Sequence, residues 1–210
     1  HTMPHTALHD AKTVEDVHRA LHAGADVDAQ DMFGKTALMH AAEGGREHGA
    51  GMMKVLLDAG ADPNKQRDDG RTALIQAARW GGEHGAGMMR VLLEHDGHVA
   101  ANRQDQFGKT ALMWAAEDGG EHGAGMMRLL LDAGADANKQ QEAGQTALML
   151  AAYWGGEHGA EMMRVLLAHA DVAVNTQDEG DGWTALMYAA LFGGEHGAGM
   201  MKVLLDAGAD

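Results

Sequence analysis

One phrase recurs five times along the 210 residues of this chain. Its opener, Gly-x-Thr-Ala-Leu, begins at Gly34, Gly70, Gly108, Gly144 and Gly182, so successive openers lie 36, 38, 36 and 38 residues apart. Each is followed by Ala-Ala, a Gly-Gly or Gly-Arg step, Glu-His-Gly-Ala, a Met-Met pair and a closing Val/Leu-Leu-Leu. Self-similarity at a period in the thirties marks a solenoid, in which a unit that cannot bury its apolar face alone stacks on its neighbours. The functional question then becomes which positions escape the repeat. The chain is 45% hydrophobic but only 4% aromatic, so its core is aliphatic and thioether. Its 16 methionines fall mostly within the phrase and read as adaptable core filling rather than soft copper ligands.

Within one unit the pattern reads turn, helix, turn, helix. In residues 67–104, Asp69-Gly70 is a turn signal. Thr72 is placed to cap the run from Ala73 to Arg79 through its hydroxyl, and Gly81-Gly82 stops that helix. A second helix carries Met88, Met89, Val91, Leu92 and Leu93, with Met88, Val91 and Leu92 on one apolar face.

These residues closely resemble the ankyrin repeat. That family's Thr-Pro-Leu-His-x-Ala-Ala stands here as Thr36-Ala37-Leu38-Met39-His40-Ala41-Ala42 and four later copies. Its Gly-Ala-Asp-x-Asn stands as Gly60-Ala61-Asp62-Pro63-Asn64 and Gly134-Ala135-Asp136-Ala137-Asn138. The resemblance implies an all-α fold with short β-hairpin tips, an ankyrin-repeat α-solenoid. A half-matching unit from Thr6-Ala7-Leu8 to Gly24-Ala25-Asp26 makes residues 1–30 an N-terminal capping repeat. Five repeats then follow over 31–66, 67–104, 105–140, 141–177 and 178–210, forming one continuous solenoid.

Two departures stand out. Ala and Met replace the family's Pro and His, so any His-centred turn bonds are absent or remade. About three residues are also added between the helices, relative to a familiar repeat of about 33. Three residues approach one helical turn, so the second helix is expected to begin a turn early, near the Glu-His pair, with a wider Gly-rich loop as the alternative. Glu161 in place of a glycine shows that this site tolerates a solvated side chain. Residues 30–66 match 104–140 better than 67–103, which points to duplication of a repeat pair. Residues 94–104 and 168–182 each carry two extra residues and are expected to look irregular.

All nine aromatic residues fall at two places in the unit. Phe33, Phe107 and Trp183 flank the opener's Gly; Trp80, Trp114, Tyr153, Trp154, Tyr188 and Phe192 lie on or just after the first helix. The slot after Met39 varies as His40, Gln76, Trp114, Leu150, Tyr188, and the slot before the Gly pair as Gly44, Trp80, Asp118, Trp154, Phe192. Positions that pack identical neighbours should repeat, so these side chains are read as surface anchors. In the proteins this chain resembles, tips and first helices line a concave face, and the implied role is non-catalytic protein recognition there. The expected partner-binding residues are Phe33, His40, Trp80, Phe107, Trp114, Leu150, Tyr153, Trp154, Trp183 and Tyr188. Local core packing is the competing reading, strongest for Trp80 and Trp154. The tips are acidic on balance, with Asp31, Asp68, Asp69, Asp105, Glu142, Asp178, Glu179 and Asp181 against Lys35, Arg67, Arg71 and Lys109. A protein partner with a basic patch fits them.

Other chemistries fare worse. A formal charge of −15 disfavours nucleic acid, which needs cations to displace counterions. No apolar run approaches the ~18 residues of a membrane span. No cofactor is expected: the Gly-Gly phrases lack the Lys-Ser/Thr ending of a phosphate loop. With neither Ser nor Cys the chain has little nucleophilic capacity, and no enzyme is expected. The ladder Glu47-His48, Glu83-His84, Glu121-His122, Glu157-His158, Glu195-His196 offers metal-ligand types. Helices stacked about 8–10 Å apart hold one His per repeat too far apart for a shared ion at ~2.0–2.1 Å. No metal is therefore expected; each Glu favours its helix N-terminus and each His bonds across the turn. A small-molecule or metal binder using this ladder or an aromatic cleft is the alternative function. The cations Lys54, Arg90, Arg128, Arg164 and Lys202 are read as helix-surface pairs, four having an acid four residues on. The chain stops at Asp210 without a polar capping repeat, so it is expected to be a monomer or to self-associate weakly there. A cytoplasmic setting is expected, and the absence of Cys also suits a periplasmic or secreted one.

Overall fold

Five Thr-Ala-Leu openers become five short first helices in a computed structural model that describes residues 8–43, 47–80, 82–95, 99–169 and 171–210. The chain divides into two compact units, His1–Gln106 and Phe107–Asp210. In the first, α1 (Val14–His22), α2 (Ala37–Ala42), α3 (Gly49–Asp58), α4 (Ala73–Trp80) and α5 (Gly82–Glu94) follow in order. Helix α2 packs on α3 and α4, α4 packs on α5, and α3 lies between α1 and α5. In the second unit α6 (Ala111–Asp118), α7 (Gly123–Asp132), α8 (Ala147–Trp154), α9 (Gly159–Leu167), α10 (Ala185–Phe192) and α11 (Gly197–Asp206) repeat the scheme. First helices α6, α8 and α10 pack in sequence, as do second helices α7, α9 and α11.

Each first helix starts where the opener's Thr turns into its N-cap. Thr36, Thr72, Thr110 and Thr146 accept the amides of Met39, Ile75, Met113 and Met149 at 3.3–3.4 Å, satisfying one orphan donor each. Thr184 makes no such bond, and its hydroxyl is buried without a partner among the described residues. The Ala-Ala pairs of the first four repeats are fully buried, their small side chains letting the helices approach closely, while in the fifth Ala189 is buried and Ala190 exposed. The Met pairs fill the resulting seams: Met53, Met89, Met127 and Met163 are completely inaccessible. Burial of each such side chain contributes roughly 1.5–3 kcal/mol.

The added residues wind a turn rather than a loop. Gly120–His122, Gly156–His158 and Gly194–His196 each form one 3₁₀ turn leading into α7, α9 and α11, and α5 begins directly at Gly82. Glycine is needed here for contact: a Cβ on Gly159 would lie 2.5 Å from the Met200 sulfur and 2.9 Å from the Ala151 carbonyl. The exposed slot below behaves differently, and Glu161 sits there in reach of Arg164 at 3.3 Å and Arg128 at 4.0 Å. Thr6-Ala7 of the capping unit, the step at 44–46, the stop at Gly81 and the centre of the irregular stretch, 96–98, lie outside the described residues.

The tips contain no strand among the described residues; they close as hydrogen-bonded turns. Asp31, Arg67 and Gln141 amides donate to Lys35, Arg71 and Gln145 carbonyls at 2.9–3.0 Å. A single backbone bond then joins tips within each unit: Asp68 to Phe33 and Gln106 to Asp69 in the first, Glu142 to Phe107 and Glu179 to Ala143 in the second. One bond per pair is too few for a ladder. Side chains supply the rest. Gln30, Gln66 and Gln140 amides each donate to the carbonyl of their own tip's Gly at 2.6–2.7 Å, and to Gln66, Gln104 and Gln177 carbonyls of the next repeat at 3.1–3.4 Å. Asn138 clasps the connection after α9, accepting from Ala173 and donating to the Asp171 carbonyl at 2.6 Å. Asp171 there takes a left-handed φ of 72°, where the other repeats place glycine. The fifth tip is one residue longer, closing from Asp178 to Trp183 at 3.0 Å.

Two glycine substitutions separate these roles. Gly144 has φ +77°, and a Cβ there would strike the backbone of Glu179. Gly144→Ala should therefore lower stability by about 2 kcal/mol, combining left-handed strain and the clash. Gly125 lies within α7 with nothing near its Cβ position. Gly125→Ala should raise stability by roughly 0.5–1 kcal/mol. Urea denaturation of both variants reads the signs, and equal shifts would contradict this account of the repeat.

Candidate functional site

In the first, third and fifth repeats a tip side chain meets the slot after Met on the first helix: Asp31 with His40, Lys109 with Trp114 and Asp178 with Tyr188. In the first unit Asp31 caps its own tip, Oδ1 accepting the amides of Phe33 at 2.8 Å and Lys35 at 2.9 Å. Its Oδ2 meets His40 Nε2 at 2.9 Å. Burial pushes the Asp31 carboxyl up, but these amides and the hydrogen bond and charge of His40 more than offset it, leaving the pKa lowered. Glu43 takes Lys35 at 2.6 Å, Gln76 at 3.1 Å and Arg67 at 3.8 Å. Asp69 pairs with Arg67 at 2.9 Å and Arg71 at 3.4 Å, and Arg71 reaches the buried Asp105 at 3.5 Å. In this unit, carboxylates at the tips meet cations of the same chain.

The second unit is built differently. Lys109 pairs with Glu117 and lies 4.3 Å over the Trp114 ring, and no Lys or Arg stands in its two later tips. In their place runs a chain of neutral hydrogen bonds. Gln141 donates to Gln145 at 2.8 Å, Gln145 to the Tyr188 hydroxyl at 2.7 Å, and Tyr188 to Asp178 Oδ2 at 2.6 Å. Asp178 Oδ1 accepts the amides of Gly182 and Trp183 at 3.0 Å. Burial raises the Asp178 carboxyl, but the Tyr188 hydroxyl and the tip amides outweigh it and the pKa falls. Burial and then donation to Asp178 raise the Tyr188 phenol.

This chain holds five aromatic rings together. Tyr153 touches Trp154 at 4.6 Å between centroids, Phe192 at 4.5 Å and Tyr188 at 5.8 Å. Trp183 lies 5.5 Å from Tyr188 and 5.8 Å from Phe192, edge-to-face and tilted arrangements suited to the ring quadrupoles. The rings border an open cleft of about 470 Å³ with Leu150 and Gln145 in its lining and Asp178, Asp181, Glu117 and Lys109 as its charges.

The expected anchors sort into three groups. Phe33, Trp80, Phe107 and Trp154 are exposed, at 55, 50, 43 and 56%. His40, Tyr153 and Trp183 are half-buried. Trp114, Leu150 and Tyr188 are buried at 4, 2 and 7% exposure, which corrects the expectation that they stand free on the surface. The slot they occupy faces inward in four of the five repeats, Gln76, Trp114, Leu150 and Tyr188 all being buried, so variation there does not mean exposure. Phe192, 43% exposed, joins the cluster although it was not among the expected anchors. Gln141 and Gln145 were also missed. Their signal was the slot after the tip Gly, which reads Lys35, Arg71, Lys109, Gln145, Trp183 and loses its cation halfway.

The Glu-His pairs stay local. His122, His158 and His196 rings lie 3.3–3.5 Å from the Glu that precedes each, and the bond across the inter-helix turn is made by their backbone N–H, not the ring. Among the described residues no three His, Cys, Asp or Glu come together as a metal site. Of the second-helix cations, Lys202 pairs with Asp206 at 3.0 Å and Arg90 with Glu94 at 3.9 Å, exposed contacts of small energetic weight. No helix among the described residues is long and apolar enough to cross a membrane.

A family model described as ankyrin repeats (3 copies) matches residues 5–84, 46–140 and 120–210. The crystal structure of an ankyrin repeat domain from Acinetobacter baumannii AYE matches with a TM-score of 0.80 at 29% identity, covering 99% of this chain and 98% of that one. A search of curated proteins gave no match.

The Asp178 network predicts a pH signature. Its pKa is lowered by folding, so its contribution to stability is full above the ordinary carboxylate value of about 3.9 and is lost as pH falls through the depressed folded value. Asp178→Asn should cost on the order of 1 kcal/mol at pH 7 and less at pH 2.5. A gap of equal size at both pH values, read from denaturant midpoints, would contradict the network.

Proposed function

The chain belongs to the ankyrin repeat family, whose members are generally non-catalytic protein-protein interaction modules, and from that premise we propose that it binds a protein partner bearing a basic patch. The tips and first helices carry the contact, on the side that is concave in the proteins it resembles. The observation behind this reading is the aromatic cleft of the second unit, where five rings gather beside carboxylates that have no tip cation of their own. Large rigid rings give contact area at small entropic cost, and a flanking negative field steers a basic partner. Phe33 and Trp80 extend the apolar contact on the first unit, Phe107 and Trp154 on the second. Trp114, Leu150 and Tyr188 support these anchors from beneath, and His40 fixes the first tip through Asp31.

A second contact is proposed at the last repeat. Met187 is 47% exposed although its equivalents Met39, Ile75, Met113 and Met149 are each 1% exposed, and Leu191 and Leu205 lie open at 62 and 56%. That apolar face supports weak self-association between copies. Sedimentation velocity across concentration should show a dimer that Met187→Glu with Leu191→Glu abolishes. Partner binding is tested by Trp154→Ala with Phe107→Ala, which should weaken capture of the partner by at least about tenfold, the scale of interface hot spots. Thermal unfolding should stay cooperative and shift only slightly, since both rings are largely exposed and Trp154 gives up its Tyr153 contact. Undiminished capture overturns the reading.

A further inference from the structure

We propose that the cleft of the second unit seats one arginine side chain of a basic polypeptide; this rests on the reading of the chain as a protein-binding module and names the group that it grips. The first three repeats carry their own tip cations, Lys35, Arg67, Arg71 and Lys109, and each of these meets a carboxylate. The fourth and fifth carry none: the matching positions are Gln141, Gln145, Asp178 and Trp183. Yet the carboxylates remain. Asp178 is held ionised by donors that are neutral, and Asp181 stands exposed on the lengthened fifth tip with no ion pair among the described residues. Lys109 also borders the cleft, but its charge is spent on Glu117. The lining is thus left with a surplus of two negative charges, and the rings face it.

A guanidinium answers this arrangement better than an ammonium. It is planar, weakly hydrated and stacks on aromatic faces while its edge pairs with a carboxylate. The chain already uses the same contact internally, with the Arg79 guanidinium carbon 4.5 Å over the Trp80 ring. A cleft of about 470 Å³ accommodates one long side chain together with its flanking backbone. Trp183 and Phe192 offer the faces, and Asp181 the counter-charge at the mouth.

The test uses the full chain labelled with ¹⁵N at the tryptophan indoles and blocked pentapeptides Gly-Gly-X-Gly-Gly, in which X is arginine, lysine or citrulline. The arginine peptide should shift the Trp183 indole saturably and leave Trp80 in place. Lysine should bind about three- to fivefold more weakly, and citrulline, isosteric but uncharged, should not bind. Asp181→Asn should weaken the arginine peptide by about three- to fivefold, the weight of an exposed ion pair. Citrulline shifting Trp183 as strongly as arginine, no saturable shift with arginine, or lysine equal to arginine would each overturn the assignment. Such a failure alongside partner capture that Trp154→Ala still abolishes would remove the arginine and keep the binding module.

Discussion

Everything at the tips depends on a glutamine amide that spans two repeats. Gln30, Gln66 and Gln140 each bond the carbonyl of their own tip glycine and a carbonyl of the repeat that follows within their unit. The apolar core explains why helices pair, through close-packed Met and Leu seams. It does not explain why successive tips come into register. A side chain with two fixed donors does, because both N–H groups are satisfied only at one spacing. With the tips in register, one backbone bond per neighbour suffices, and a residue placed at a tip meets the same slot of a first helix each time.

That fixed meeting is what allows the repeats to differ. His40 answers Asp31, Tyr188 donates to Asp178 while accepting from Gln145, and Gln76 answers Glu43 at the end of the preceding first helix. Where both partners are polar, truncating one leaves the other buried and unsatisfied, a cost of roughly 1–3 kcal/mol, so the two positions are constrained as a pair. The framework remains identical because it is carried by other residues. A repeat protein of this kind can therefore change the chemistry of one face without touching its core.

Much of the fold was legible in the chain. The Thr-Ala-Leu openers gave the first helices, Thr72 its cap, and the three added residues an extra turn at Gly-Glu-His. These follow from local rules, in which spacing and residue type suffice. The site was legible only in part, because exposure is not local. Trp114 and Tyr188 broke the pattern as clearly as Trp154 did, yet they are buried and Trp154 is open. What separates them is the slot: Trp114 and Tyr188 share the buried slot of Gln76 and Leu150, whereas Trp154 shares the exposed slot of Trp80 and Phe192. Reading variation as exposure fails where a variable slot faces the interior.

Tip cations end at Lys109, and the two later tips hold their acids by other means. A buried or half-buried carboxylate is stable when an opposite charge or several donors hold it. In the first unit Arg67 and Arg71 meet Asp69 and Asp105 and Lys35 meets Glu43, while Asp31 is held by tip amides and His40. Around Asp178 the answer is amides and a phenol, which hold the carboxylate in place without cancelling its field. Donors of that kind stabilise an anion at no cost in net charge, so the cleft keeps its attraction for a cation from outside. Had Gln145 remained the lysine or arginine of the earlier repeats, the same rings would form a self-satisfied surface. The pairing of neutral donors with exposed rings is thus what sets this cleft apart from the cation-paired tips, and it is the feature on which the proposed recognition rests.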